Sequence, residues 1–312
     1  MKKFLILAAA LLIWCNLSAQ KLTETYLFAH RDTCDLYFDV YEPVPGSETA
    51  IDGIEKPTVL FVFGGGFIIG SRSEKYFFPW FKMLTENGYR VISIDYRLGL
   101  KGVKMDFSPF GLLKSTKYTI AAEYMGVEDL FSAVSYIIDN KEALGVDPAN
   151  IVLAGSSAGA LISMVAEQSI CNRDSWASVL PEDFNFKGVI SFSGAIVGKD
   201  GTPKYGKAPC PTLFLHGMDD DTVPYRKLQF LKYGMWGSDA LSSVFKKNGY
   251  PHCIYRYKGH KHDIASAFVP LFDTEIEFIE KNLMKGLDRK VDAVVDDPSL
   301  PVIDYPSFRK IY

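Results

Sequence analysis

The hydrophobic pattern of the chain begins with a period of two and then changes character. Between 22 and 42, apolar and polar positions trade places, most clearly in Leu36, Phe38 and Val40 against Asp35, Tyr37 and Asp39. That alternation predicts a half-buried strand, one arm of an antiparallel entry hairpin. Further along, the apolar runs are continuous. The stretches 58–63, 90–95, 151–154, 188–192, 212–215 and 253–257 read as strands covered on both faces. Between them, 78–87, 126–140, 158–168 and 272–284 have helical spacing, as in Val127, Leu130, Phe131, Val134, Ile137 and Ile138. Strands that alternate with helices predict an α/β fold, a mostly parallel central sheet with helices on both faces.

Four stretches stand outside that alternation. Residues 43–56 read as a Pro/Gly/Ser-containing loop. Residues 99–124 are too long for a simple connection and carry Phe107, Pro109, Phe110, Leu112, Leu113, Tyr118 and Tyr124, so they are a candidate lid or pocket wall. Residues 286–312 are charged and then broken by Pro298, Pro301 and Pro306, which predicts an irregular surface tail. At the other end, Lys2 and Lys3 precede an apolar run too short to span a membrane, and Leu17-Ser18-Ala19 offers a small-residue cleavage site. Residues 1–19 are therefore expected to be a signal peptide, and 20–285 the folded domain. This predicts export to the periplasm or the outside, with no membrane span in the mature chain.

Composition narrows the classes. The chain has 312 residues, a formal charge of −3, 48% hydrophobic and 23% charged residues, which suits one large globular domain. No Lys/Arg-rich run is present, so no nucleic-acid partner is expected. Beyond the signal, Cys34, Cys171, Cys210 and Cys253 are widely and irregularly spaced. Four cysteines allow two disulfides in three connectivities, and no C-x-x-C pair is present.

The chemistry centres on Gly155-Ser156-Ser157-Ala158-Gly159, between an apolar run and an alanine-rich helical run. G-x-S-x-G in that setting is a strand-to-helix turn. It forces the central serine, Ser157, into strained geometry with its hydroxyl exposed above the sheet. Such a serine needs an oxyanion hole, a base and an orienting acid. Gly64-Gly65-Gly66 directly follows the 58–63 run. Its glycines let backbone N–H groups approach an oxyanion, so Gly65 and Gly66 are the expected donors, with Ala158 beside the serine. No Gly-Lys-Ser/Thr follows, which argues against a phosphate loop. Among the histidines, His260 and His262 follow the last buried run, where a loop reaches the carboxyl edge of the sheet. They could also contribute with Asp263 to a metal site, but no further well-placed ligand is apparent. Asp219, Asp220 and Asp221 follow the 212–215 run. Three adjacent carboxylates repel, so at most one is expected to turn inward.

In order and spacing, these motifs resemble the α/β-hydrolase superfamily. They are similar to its esterase branch around hormone-sensitive lipase and the bifunctional acetylxylan/feruloyl esterases. The resemblance runs from about Lys56 to Met284. It rests on Gly64-Gly65-Gly66-Phe67, Asp95-Tyr96-Arg97, Asp147-Pro148 through Gly159, His216-Gly217 with Asp220, Val223 and Pro224, and Gly259 with His262. It implies an α/β-hydrolase fold and a cofactor-free, metal-free serine ester hydrolase with Ser157, Asp220 and His262 as triad. The implied substrate is a small-molecule or glycan ester, acetyl or feruloyl groups being the candidates. A serine peptidase of prolyl-oligopeptidase type and a non-catalytic binding relative are the alternatives. Two positions depart from the family pattern. Phe63 stands where a histidine usually braces the glycine loop, and Asp263 follows His262 where a small residue is commoner. Asp263 is expected to act electrostatically on His262 or His260.

Overall fold

The computed structural model describes residues 22–302, apart from 107, 109 and 110. The entry hairpin is present as β1 (Glu24–Arg31) and β2 (Cys34–Tyr41), paired antiparallel. A two-residue hairpin, β3 (Ala50–Ile51) and β4 (Ile54–Glu55), interrupts the next loop. The continuous apolar runs become β5 (Thr58–Val62), β6 (Val91–Ile94), β7 (Ile151–Ser156), β8 (Gly188–Phe192), β10 (Thr212–Gly217) and β13 (His252–Tyr257). Every residue of β5, β6, β7, β8 and β10 is buried, which is why none of them alternates. The sheet order is β1-β2-β6-β5-β7-β8-β10-β13-β14, the last being Val291–Val295. The pairings β1–β2 and β2–β6 are antiparallel, and the other pairings of this sheet are parallel. β7, which ends at the serine, lies at its centre.

Helices cover both faces. Phe38 of β2 meets Tyr136 of α2 (Leu112–Asp139) at 5.6 Å, and Tyr41 meets Phe81 of α1 (Phe78–Glu86) at 5.0 Å. Odd and even positions of a strand point to opposite faces, so α1 and α2 lie on opposite sides. A short helix α3 (Lys141–Leu144) follows α2. Helix α4 (Ala158–Asn172) follows the serine and packs on α2, and α6 (Phe272–Phe278) joins α1 through the Trp80 indole. The core around Phe61 is aromatic, with Phe77, Trp80, Phe81 and Phe268 all within 5.7 Å of its ring centre.

Three expectations are corrected. The stretch 99–124 is not a separate insertion throughout, because α2 begins at Leu112. Gly126 marks no helix start. It lies mid-helix, where a Cβ would come within 2.4 Å of the Ile162 side chain on α4, which would have to shift to admit it. The tail is not irregular throughout either. Val291–Val295 forms β14, parallel to β13, with Ala293 paired to Tyr255. Finally, the reading of the sequence passes over a second sheet, β11 (Lys227–Phe230), β12 (Tyr233–Gly237) and β9 (Ala195–Gly198), and the helix α5 (Ser238–Asn248). The expected signal peptide lies outside the described residues. Among those residues no helix is long and apolar enough to cross a membrane.

One buried carboxyl gives a stability prediction. Glu275 is 1% exposed and accepts a 2.8 Å hydrogen bond from the Trp80 indole N–H. Burial pushes its proton affinity well above the ordinary carboxylate range, against that single hydrogen bond. An acid whose folded value is raised stabilises fully below its unfolded value of about 4.3 and loses that stabilisation as pH rises through the folded value. A neutral isostere escapes the loss. Glu275→Gln is therefore expected to gain on the wild type between pH 5 and pH 9, by about 2 °C in Tm or more. Thermal unfolding of both proteins across that range checks it.

Candidate active site

Ser157 sits between β7 and α4 with φ 49° and ψ −118°. Such a conformation costs a residue with a side chain about 1–3 kcal/mol. The surrounding packing imposes it. A Cβ on Gly155 would lie 2.4 Å from the Gly159 carbonyl oxygen, and one on Gly159 would lie 2.1 Å from the Val62 carbonyl oxygen. Both obstacles are backbone, which cannot move aside as a side chain can. Gly159→Ala is therefore expected to destabilise by about 3 kcal/mol or more, seen as a lower Tm and urea midpoint together with lost activity. The elbow is also pinned from the next strand, because the Ser157 N–H donates to the Phe192 carbonyl at 2.9 Å.

Three side chains converge at the carboxyl edge of the sheet. Ser157 Oγ lies 2.8 Å from His262 Nε2, and His262 Nδ1 lies 2.8 Å from Asp220 Oδ2. They come from the loops after β7, β13 and β10. His262 and Asp220 are buried, while Ser157 keeps partial exposure. Of the three adjacent aspartates, Asp219 and Asp221 stay exposed and Asp220 turns inward. Its Oδ1 accepts the backbone N–H groups of Thr222 at 2.9 Å and Val223 at 3.0 Å. Burial alone would raise its proton affinity. Hydrogen bonds from His216 and His262 outweigh burial and hold the carboxyl well below its usual range. An ionised Asp220 can only accept, so the ring proton of His262 sits on Nδ1. Nε2 is then left to accept from the Ser157 hydroxyl.

The neighbouring histidine is occupied elsewhere. His260 Nδ1 lies 2.6 Å from Asp263 Oδ2, and Asp263 Oδ1 accepts the Lys261 N–H at 2.7 Å. Asp263 is therefore engaged with His260. One turn on, the Ala265 carbonyl accepts a 2.6 Å hydrogen bond from Ser156 Oγ. That bond ties the residue before Ser157 to the loop that carries His262. Among the described residues no cluster of His, Cys, Asp and Glu gathers as metal ligands. Cys34, Cys171, Cys210 and Cys253 stand as thiols, Cys34 exposed and the others buried.

The glycine loop lies against the elbow. A Cβ on Gly64 would lie 3.1 Å from that of Ser157, and Gly65 and Gly66 follow at φ 131° and 63°. Phe63 braces this loop by a different contact from a histidine's. Its ring stacks on Tyr96 at 4.4 Å, and the Tyr96 hydroxyl donates to the Phe63 carbonyl at 3.0 Å. The residues flanking Tyr96 are anchored too. Asp95 pairs with Arg72, and Arg97 pairs with Asp129 on α2.

Two groups at the site went unassigned in the sequence. His216 touches Asp220, and Ser238 touches His216. His216 carries a signal, the His-Gly that opens the Asp220 motif. Ser238 carries none, because its place depends on the second sheet.

Known proteins bear on the same residues. A family model described as the carboxylesterase family matches residues 15–203. That span includes the glycine loop and Ser157 but ends before Asp220 and His262. Para-nitrobenzyl esterase of Bacillus subtilis is 28% identical over 155 residues, 48% of this chain and 28% of that protein. A probable isoprenylcysteine alpha-carbonyl methylesterase of Oryza sativa subsp. japonica is 25% identical over 276 residues, 77% of this chain and 56% of that protein. The matches thus span 28% to 56% of the length of these two curated relatives. Among solved structures, esterase 2 of Thermogutta terrifontis in its apo form aligns with a TM-score of 0.57 at 20% identity, covering 85% of this chain and 97% of that one. That likeness concerns the fold, and it agrees with an α/β-hydrolase sheet. Since the family match takes in most of the chain and the whole strand–serine–helix unit, this protein belongs to the carboxylesterase family.

Proposed function

We propose that the protein hydrolyses carboxylic esters through an acyl-serine intermediate. The observation that carries this reading is the line of contacts from Ser157 through His262 to Asp220, each 2.8 Å long. Ser157 Oγ attacks the ester carbonyl while His262 Nε2 takes its proton. Asp220 keeps the imidazole in the accepting tautomer and stabilises its positive charge. Backbone N–H groups of Gly65, Gly66 and Ala158 receive the oxyanion, and the N-terminus of α4 adds its dipole there. His262 then returns the proton to the leaving alcohol, and a water activated by the same base releases the acid. No metal or organic cofactor enters these steps.

The finer reading is an exported enzyme acting on glycan esters. Support for export comes from the pattern of residues 1–19. Support for acetyl or feruloyl glycans, and for the hormone-sensitive-lipase-like branch, comes from the motifs at 63–67 and 216–224. The test is a panel of p-nitrophenyl acetate, butyrate and octanoate, methyl ferulate and acetylated xylan. Turnover of any of them supports ester hydrolysis, and preference for the last two supports the glycan reading. An inactive protein on the whole panel would sink the proposal. Fractionation of expressing cells, with N-terminal sequencing of the product, tests cleavage after Ala19.

A further inference from the structure

We infer that His216 is a positioning residue of this site, an internal imidazole anchored by Ser238 that fixes the Asp220 carboxylate and shares its charge with His262. The inference rests on the reading of Ser157, His262 and Asp220 as the reacting group.

His216 is the penultimate residue of β10 and is fully buried. Its Nε2 lies 3.0 Å from the Val223 carbonyl oxygen and 3.1 Å from Asp220 Oδ2. A carbonyl only accepts, so Nε2 carries a hydrogen and donates to both. On the far side of the ring, Nδ1 lies 2.8 Å from Ser238 Oγ. The Ser238 hydroxyl has one proton and two acceptors in view, Nδ1 and the Gly194 carbonyl at 3.3 Å. Whichever of the two it faces, Nδ1 and the Ser238 hydroxyl stay hydrogen-bonded, and each ring nitrogen is satisfied. The chain of contacts then runs Ser238, His216, Asp220, His262, Ser157.

A histidine that merely filled space would need only satisfied nitrogens. This one aims its donor at Asp220 Oδ2, the same oxygen that receives His262 Nδ1. Two consequences follow. The carboxylate is held by His262, His216 and the N–H groups of Thr222 and Val223, so it cannot turn out of the plane that His262 needs. In addition, a hydrogen bond from His216 draws charge from Oδ2. Asp220 then stabilises a protonated His262 less than an unshared carboxylate would, and the ring stays available to accept from Ser157.

Asp219 and Asp221 flank Asp220 and are exposed, and other charged groups nearby are held in pairs. The Tyr225 ring lies 5.7 Å from His216, and its hydroxyl donates to Asp239. Arg256, the β13 register partner of His216, pairs with Asp239 and Asp292. His260 and Asp263, beside His262, pair with each other.

The test uses full-length protein and p-nitrophenyl acetate, comparing wild type with His216→Leu, His216→Gln and Ser238→Ala. His216→Leu is expected to lower kcat roughly 10- to 100-fold with little change in KM, as misplacement of an orienting group does. The acidic limb of its kcat/KM profile is expected to move to higher pH. Glutamine can place an amide N–H where Nε2 stood, so His216→Gln should recover most of the kcat and the wild-type limb. Ser238→Ala should move kcat and the limb in the same direction as leucine, by less. If His216→Leu does not fold, Ser238→Ala decides alone. A folded leucine or alanine variant with wild-type kcat and an unmoved limb overturns the proposal, as does a glutamine variant no better than leucine. A wild type that turns over no ester, or a Ser157→Ala protein that keeps full activity, would instead remove the reading beneath it.

Discussion

Replacing Ser157 with alanine is expected to lower kcat on an activated ester by about 10⁵-fold or more, with KM little changed. The hydroxyl removed is the atom 2.8 Å from His262 Nε2, while the neighbouring Ser156 hydroxyl donates to the Ala265 carbonyl. Alanine fits the space, so the variant should unfold close to the wild-type temperature. Activity loss can then be read as chemistry. The members of such a unit are strongly non-additive, because each is useless without the others. Ser157→Ala with His262→Ala should therefore be only slightly worse than either alone. Initial rates at saturating and limiting ester, with thermal unfolding of each variant, check both statements. Residual activity within tenfold of the wild type would place the nucleophile elsewhere.

Asp220→Asn is expected to cost about 10⁴-fold in kcat, through proton placement rather than lost bulk. Every polar neighbour of this carboxylate is a donor. His262 and His216 approach Oδ2, and the N–H groups of Thr222 and Val223 approach Oδ1. An amide has one accepting oxygen and one donating nitrogen. If the nitrogen faces the two backbone N–H groups, the loop that carries residue 220 is disrupted. If it faces His262, the ring proton moves to Nε2 and opposes the Ser157 hydroxyl instead of accepting from it. Either orientation loses the base.

The same carboxylate predicts a pH dependence of stability. Its hydrogen bonds hold it well below the ordinary carboxylate range, against the effect of burial. A depressed acid contributes stability above its unfolded value of about 3.9, and that contribution is lost as pH falls from there toward the folded value. The wild type should thus unfold at a higher temperature than Asp220→Asn at pH 7, with the gap closing below about pH 4. A gap that is constant from pH 7 to pH 3 would contradict this.

The legible parts of the molecule are those where one local constraint decides. The buried strands 58–62, 151–156 and 212–217 could be read because both their faces are covered, which leaves no polar positions. The elbow could be read because backbone contacts at Gly155 and Gly159 exclude any side chain. The choice of Asp220 from three aspartates, and of His262 over His260, came from resemblance and not from local physics. In the structure His262 is hydrogen-bonded to Asp220 on one side and to Ser157 on the other. What was missed depends on distant partners. β14 has an alternating exposure that only β13 makes meaningful, Lys227–Phe230 is exposed throughout, and Tyr233–Gly237 is only partly buried, so neither of the last two shows an apolar run. The first half of α2 was hidden by Gly126, which faces Ile162 on another helix. Asp263 was expected to act on either histidine. Its pairing with His260 is a loop geometry that spacing alone does not set.

The central claim is that Ser157 is the nucleophile, and covalent capture tests it most directly. Purified protein is treated with a fluorophosphonate, digested, and mapped by mass spectrometry, alongside ester hydrolysis measured on the same sample. One phosphonyl adduct per chain is expected, located on Ser157, with hydrolysis lost in proportion to labelling. An adduct on any other residue, or full hydrolysis with Ser157 completely labelled, would contradict it.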